Sequence, residues 1–137
     1  MTLTFTVPGL PRAKERARKG KYGNMYTPRK TASYEAEIWA CAQERRATQG
    51  MFGDRPVWVS LRVYMHFPRR PNSHNYPTVK PDFDNVLKAF LDGMKPAWKD
   101  DAQVVGILGG SGKFYSLVPH VEMVVTDEAP DLDQLPF

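Results

Sequence analysis

The stretch "VWVSLRVYMHF", residues 57–67, constrains the fold more than any other. Val57, Val59, Leu61, Val63, Met65 and Phe67 alternate with Trp58, Ser60, Arg62, Tyr64 and His66. A period of two puts the first set on one face of an extended chain. The β-branched and aromatic content favours a half-buried strand over a helix. Such a strand needs a sheet beside it and a layer covering its apolar face.

The covering layer is legible from a different period. Phe83, Val86, Leu87, Phe90 and Leu91 recur at helical spacing and form one apolar stripe over 83–93. Tyr34, Ile38, Cys41 and Ala42 predict a second helix over about 31–48, with Thr31 or Ser33 able to cap it. Leu3, Phe5 and Val7 alternate in a short strand stopped by Pro8-Gly9. A strand near 103–108, a hairpin turn at "GGSGK" (109–113) and a closing strand near 118–126 complete the set. The expected order is β-α-β-α-β-β. That predicts an α+β fold, a single two-layer domain over residues 1–137, with both helices on one face of a mixed or mostly antiparallel sheet. Residues from about 127 read as a loose acidic tail.

Residues 8–30 and 68–81 are rich in Pro, Gly and basic side chains, and read as extended loops. Between Arg12 and Lys30 stand eight basic residues and one acid, Glu15. No Lys or Arg follows Lys113, so the net charge of +4 hides a polarised chain. A concentrated basic segment suits a polyanion; it is also what a solvated face looks like. Tyr22 and Tyr26, interleaved with the basic run, are candidates for stacking on bases. The lone Cys41 excludes an internal disulfide and a thiolate-rich zinc site, and a cytoplasmic setting is expected. No apolar run approaches the roughly 20 residues that span a bilayer, and the N-terminus has no signal-peptide pattern.

The chemistry concentrates in "KPDFDNVLKAFLDGMKPAWKDDAQV", residues 80–104. Asp82 falls at the N-cap of the 83–93 helix and Asp84 in its first turn, where acids are favoured on structural grounds alone. Asp84 and Lys88 are spaced as an i, i+4 ion pair. The same acids can hold a metal. Two fully helical carboxylates at i and i+2 diverge by about 200°, but the cap position lets Asp82 turn toward Asp84. The adjacent pair Asp100 and Asp101 repel each other without a counter-charge. Carboxylate oxygens of this kind suit a hard cation such as Mg²⁺. Lys88 then lies within reach of a bound phosphate. His66, His74 and His120 are too dispersed for a local ligand motif, and "GGSGK" lacks phosphate-loop spacing.

"KPDFDNVLKAFLDGM" followed by "WKDDAQV" resembles the signature of the RusA family of Holliday junction resolvases, enzymes often carried by bacteriophages. "FTVPGLPRAKERAR" and "YTPRKTASYE" resemble the phage-type members, and the likeness runs from Phe5 to about Thr126. It implies a homodimeric, Mg²⁺-dependent endodeoxyribonuclease (with Mn²⁺ a possible substitute) that nicks branched DNA in recombination and repair. It implies no small-molecule cofactor and no membrane partner. By residue match, the catalytic set falls on Asp82, Asp84, Lys88 and Asp101, and the metal ligands on Asp82, Asp84, Asp100 and Asp101. Lys14, Arg16, Arg18, Lys19, Lys21, Arg29, Lys30, Arg69, Arg70 and Lys80 become candidate DNA contacts. The arginine run that other members carry before D-x-D is replaced here by "TVKP", with Arg69 and Arg70 farther upstream. A non-catalytic junction-binding protein is the alternative, with the acids serving only as caps and turns. A phosphatase or transferase would want D-x-D at the end of an apolar strand, which "PTVKP" is not.

Overall fold

The alternation at 57–67 becomes the central strand of a sheet. The computed structural model describes residues 1–70 and 72–131. Its elements, in chain order, are β1 (Thr2–Pro8), β2 (Arg18–Lys19), β3 (Met25–Tyr26), α1 (Arg29–Glu44), β4 (Val57–His66), α2 (Phe83–Gly93), two short 3-10 turns (Lys95–Ala97 and Asp101–Gln103), β5 (Val104–Ile107), β6 (Gly112–Ser116) and β7 (His120–Thr126). β4 pairs with β7 antiparallel on one side and with β5 and β6 in parallel on the other; β1 closes the far edge against β7. The sheet is mixed, and both helices pack on one face of it, so the domain is α+β with two layers.

Val57, Val59, Leu61 and Val63 of β4 are buried, as are Leu3, Phe5 and Val7 of β1 and Val121, Met123 and Val125 of β7. Onto this face α1 sets Tyr34, Ile38 and Ala42, and α2 sets Val86, Ala89 and Phe90. Phe83, Leu87 and Leu91 of the expected stripe are only partly buried against the core. The helix is rolled so that Ala89 and Gly93 face inward instead. The two helices touch closely at Gly93. A Cβ there would stand 2.9 Å from Ile38 Cβ and Cγ2 and 3.1 Å from the Glu35 carbonyl oxygen.

Three expectations need correction. The "GGSGK" segment does not reverse the chain. β5 and β6 run in the same direction along β4, and 109–110 bulge out between them. Ser111 fills the resulting gap in the ladder: the Leu61 N–H donates to its hydroxyl (3.2 Å), which donates to the Leu108 carbonyl (2.9 Å). Gly110 takes the left-handed conformation (φ 88°), so the turn chemistry makes a jog, and 112–116 is a strand. Second, α1 runs over Arg29–Glu44 with Pro28 at the N-cap. Thr31 is not its cap, because its hydroxyl accepts the Glu15 N–H (3.2 Å) inside the structure. The helix stops early because Arg46 turns left-handed (φ 75°) and the Ala47 N–H returns to the Ala42 carbonyl. Third, 8–30 is not all loop: β2 and β3 form a two-stranded ribbon. The expected loose tail falls in part on 132–137, outside the described residues. Asp127, where it was to begin, holds the N-terminal ammonium (2.6 Å) and Arg55 (2.9 Å). No helix among the described residues is long and apolar enough to cross a membrane.

The Gly93 contact gives a test. Alanine raises helix propensity by about 1 kcal/mol, but the overpacking against Ile38 costs about 1–3 kcal/mol. Gly93→Ala is therefore expected to lower the urea midpoint; a midpoint at or above wild type would mean that the helices do not meet closely there.

Candidate active site

α2 and its N-cap carry three of the expected site residues. Asp82 occupies its N-cap position, with extended backbone (φ −69°, ψ 142°), but its carboxylate makes no cap hydrogen bond. Asp84 projects from the first turn. Lys88, one turn on, brings its ammonium to 3.8 Å from the Asp84 carboxylate, and both side chains are exposed. Lys80 stands 3.8 Å from Asp82. The expected cap position and ion pair are therefore both present, while the cap bond itself is not made.

Lys88 also lines an open pocket of about 340 Å³, together with Lys14, Leu91, Asp92, Asp101 and Val104. Asp82 and Asp84 are not on its lining; Lys88, which pairs with Asp84, is the link between them and Asp101. Asp101 reaches the pocket from the second 3-10 turn, and its carboxylate is oriented from behind: the buried Trp98 donates its indole N–H to Oδ1 (3.2 Å), and the Lys95 ammonium lies 3.7 Å from Oδ2. Asp100 does a different job. As N-cap of that turn it accepts the Ala102 N–H (2.9 Å), while the Gln103 side-chain oxygen accepts the Asp100 N–H (2.7 Å). This is a capping box. The neighbouring acids thus divide, one toward the pocket and one to the backbone.

Behind the pocket lies a chain of charges. Asp92 binds the Lys14 ammonium (2.9 Å) and the Lys95 ammonium (3.3 Å), and Lys14 also meets Glu35 (2.5 Å). Burial disfavours the charged form of Asp92, yet hydrogen bonds from Lys14 and Lys95 outweigh it and hold its carboxyl below the usual range. Burial likewise works against Lys14, and the hydrogen bonds it donates to Glu35 and Asp92 overcome it and raise its pKa. The hydrogen bond Lys95 donates to Asp92, then the charges of Asp92 and Asp101, raise the pKa of Lys95.

Among the other expected DNA contacts, Arg16, Lys19, Lys21, Arg29, Lys30, Arg69, Arg70 and Lys80 are exposed. Arg18 is exposed and paired with Glu15 (3.1 Å). Lys14 is held inside the charge chain. Lys21 and Tyr22 lie at the tip of the β2–β3 ribbon, the ammonium 5.9 Å from the ring centroid. Glu35, Asp92, Lys95 and Trp98 are site residues that sequence reasoning missed as such. The i, i+3 spacings of Asp92–Lys95 and Trp98–Asp101 were the available signals; nothing local pointed to Glu35.

Among the described residues, no three Asp, Glu, His or Cys side chains are gathered as a ready metal cluster. The oxygens of Asp82 and Asp84 take no hydrogen bond from any of the described residues, their nearest cations standing at 3.8 Å. This fits an open Mg²⁺ site completed by waters and substrate phosphate, and does not fit a closed protein cage.

The Asp92 linkage sets a pH dependence. Its folded pKa is depressed, so its contribution to stability is full above the unfolded value near 3.8 and is lost as pH falls through the lower folded value. Urea unfolding of wild type and Asp92→Asn should differ most above about pH 5 and converge toward pH 2. A gap that stays constant over that range would contradict the assigned pairing.

The sequence matches the family model described as endodeoxyribonuclease RusA over residues 8–126. It is also 30% identical to "Uncharacterized protein YqaN" of Bacillus subtilis (strain 168) over 141 aligned positions, covering 91% of this chain and 96% of that one. With the match spanning both helices, the pocket and every strand of the main sheet but β1, the chain belongs to the RusA family of endodeoxyribonucleases.

Proposed function

We propose that the protein is a Mg²⁺-dependent endonuclease that resolves four-way DNA junctions by paired phosphodiester hydrolysis. The observation that carries this reading is the shared pocket: Lys88 lines it with Asp101 and at the same time pairs with Asp84. Each of the three acids has one ammonium close by but outside hydrogen-bonding distance: Lys80 at 3.8 Å from Asp82, Lys88 at 3.8 Å from Asp84 and Lys95 at 3.7 Å from Asp101. Such exposed pairs are weak, about 0–1 kcal/mol each, so the carboxylates are readily given up to a stronger cation. Mg²⁺ held by Asp82 and Asp84, with Asp101 as the further acid, would polarise the phosphate and lower the pKa of a water. Lys88, released from Asp84, binds a non-bridging phosphate oxygen and steadies the charge that develops there. The water gives up a proton to solvent as its oxygen forms the new P–O bond, one bridging P–O bond breaks, and the leaving oxygen takes a proton from solvent. Trp98 and Lys95 act as positioning residues for Asp101, and Asp100 keeps the turn that presents it.

A junction has near two-fold symmetry and needs two nicks, whereas one chain carries one acidic pocket. A C2 dimer meets both conditions. Lys80 beside Asp82, and the exposed Arg69, Arg70, Lys19 and Lys21, suit contacts to phosphates. Phosphate contacts select shape more than sequence.

The reading is tested on a labelled four-way junction. Wild type is expected to nick it symmetrically in Mg²⁺ and not in EDTA. Asp82→Asn is expected to lose at least about a hundredfold in cleavage rate while binding the junction as tightly as wild type. Lys88→Met should likewise lose rate rather than affinity. If Asp82→Asn cuts at the wild-type rate, the assignment fails; if wild type binds the junction but never nicks it, the protein is a binding module.

A further inference from the structure

The two N-terminal stretches that resemble the family, "FTVPGLPRAKERAR" and "YTPRKTASYE", have little part in the reaction above. The fold brings them together elsewhere. Arg12 from the first joins Arg29, Lys30, Ser33, Tyr34 and Glu37 from the second around a pocket of about 390 Å³. Arg12 and Lys30 also line a smaller pocket of about 270 Å³ with Ala13, Glu15 and Thr31.

Three features make the larger pocket an anion site. First, it lies at the start of α1, a helix of 16 residues whose N-cap is Pro28. Proline brings no capping side chain, and the first turn contains no acid. The first N–H groups and the positive end of the helix dipole therefore lack a counter-charge from the chain itself. Second, no ion pair among the described residues engages Arg12, Arg29 or Lys30. Glu37 is the one carboxylate on the pocket lining. Third, Tyr34 is 4% exposed, and its buried hydroxyl finds no hydrogen-bond acceptor among the described residues. The Arg12 backbone N–H acts on this hydroxyl, which sets it beside the segment that brings Arg12 to the pocket. Burial pushes the phenol's pKa up, against the opposing effect of the Arg12 backbone N–H, so the group remains an O–H donor. A buried donor without an acceptor is costly in a native structure and calls for an explanation. An anionic oxygen in the pocket supplies the missing acceptor.

We propose that this pocket binds a phosphate group. Arg12, Arg29 and Lys30 provide the charge, and the hydroxyls of Ser33 and Tyr34 and the first turn of α1 provide directed donors. The source of the phosphate rests on the functional reading above: it is a backbone phosphate of a DNA arm leaving the acidic pocket. The segment that carries Arg12 is tied to α2, because the Lys14 N–H donates to the Asn85 carbonyl (3.0 Å) next to Asp84. A phosphate held by Arg12 is therefore held in register with the acids. Lys14 itself turns the other way, into the active-site pocket.

The test uses the full chain and two probes, a four-way junction and inorganic phosphate. Tyr34→Phe keeps the ring against Phe90 and removes only the unsatisfied hydroxyl. It is expected to melt no lower than wild type and to bind the junction about tenfold more weakly, the effect of one charge-assisted hydrogen bond. Arg29→Ala is expected to flatten the slope of log affinity against log salt by about 0.9, one phosphate contact. Inorganic phosphate should raise the melting temperature of wild type and not of Tyr34→Phe. If the variants lose the phosphate response but bind the junction normally, the site serves free phosphate and the DNA source is overturned. If neither probe distinguishes them from wild type, the pocket is not a phosphate site. If wild type binds no junction while the phosphate response persists, the pocket stands and the nuclease reading falls.

Discussion

Phe90 is where the two layers of this protein meet. Its ring is fully buried, 6.3 Å from the Phe5 ring of β1, and the Tyr34 ring of α1 meets it edge-on at 5.8 Å. Truncating a buried phenylalanine typically costs about 3–5 kcal/mol, whereas an exposed pair such as Asp84–Lys88 contributes about 0–1 kcal/mol. The position of α2 is thus set by its buried side, not by its charges. That is why Asp82 can stand at a cap position without making the cap bond. The outward groups of α2 contribute little to holding it in place, and their arrangement is free to answer to chemistry.

Asp101 is fixed independently. The segment that carries it docks on residues 50–55: Gly50 N–H donates to the Pro96 carbonyl (2.7 Å), Phe52 N–H to Ala97 (3.0 Å) and Lys99 N–H to Gly53 (3.3 Å). The Gln103 side chain donates to the Gly53 and Arg55 carbonyls (2.8 and 2.9 Å) while its oxygen caps the turn at Asp100. One glutamine therefore joins the turn to the 50–55 loop, and Trp98 then sets the carboxylate of its neighbour. The site is the meeting of two rigid pieces, α2 and this turn, each anchored by its own contacts.

What could be read in advance was whatever has a short period. The β4 alternation and the α2 stripe are decided by residues within a turn or a pleat of one another, and both elements lie where expected. The start of α1 was misjudged because Thr31 has two possible partners, its own helix and the Glu15 N–H, and only the tertiary structure decides. "GGSGK" carries the right turn chemistry, yet whether a left-handed glycine reverses a chain or kinks it depends on what the flanking strands pair with. Here both find β4. At the site, Asp82, Asp84 and Lys88 were visible as a helical pattern, and the Asp100–Gln103 spacing is itself a capping-box pattern. The Lys14–Asp92–Glu35 contacts join residues remote in sequence, and no local rule reaches them.

Lys14 shows why a basic segment cannot be read as a uniform surface. Desolvating an ammonium is unfavourable, yet Lys14 is three-quarters buried because two carboxylates meet it. Removing either carboxylate would leave an under-compensated charge in a partly dry site. Arg12, two residues earlier, meets no carboxylate at ion-pairing distance among the described residues and lines a pocket open to solvent. The same short stretch therefore contains one cation that organises the acids from inside and another left uncompensated for an outside anion. Counting charges along the chain gives the sum of these two roles. Only the partner of each cation separates them: two acids of the protein for Lys14, and none among the described residues for Arg12.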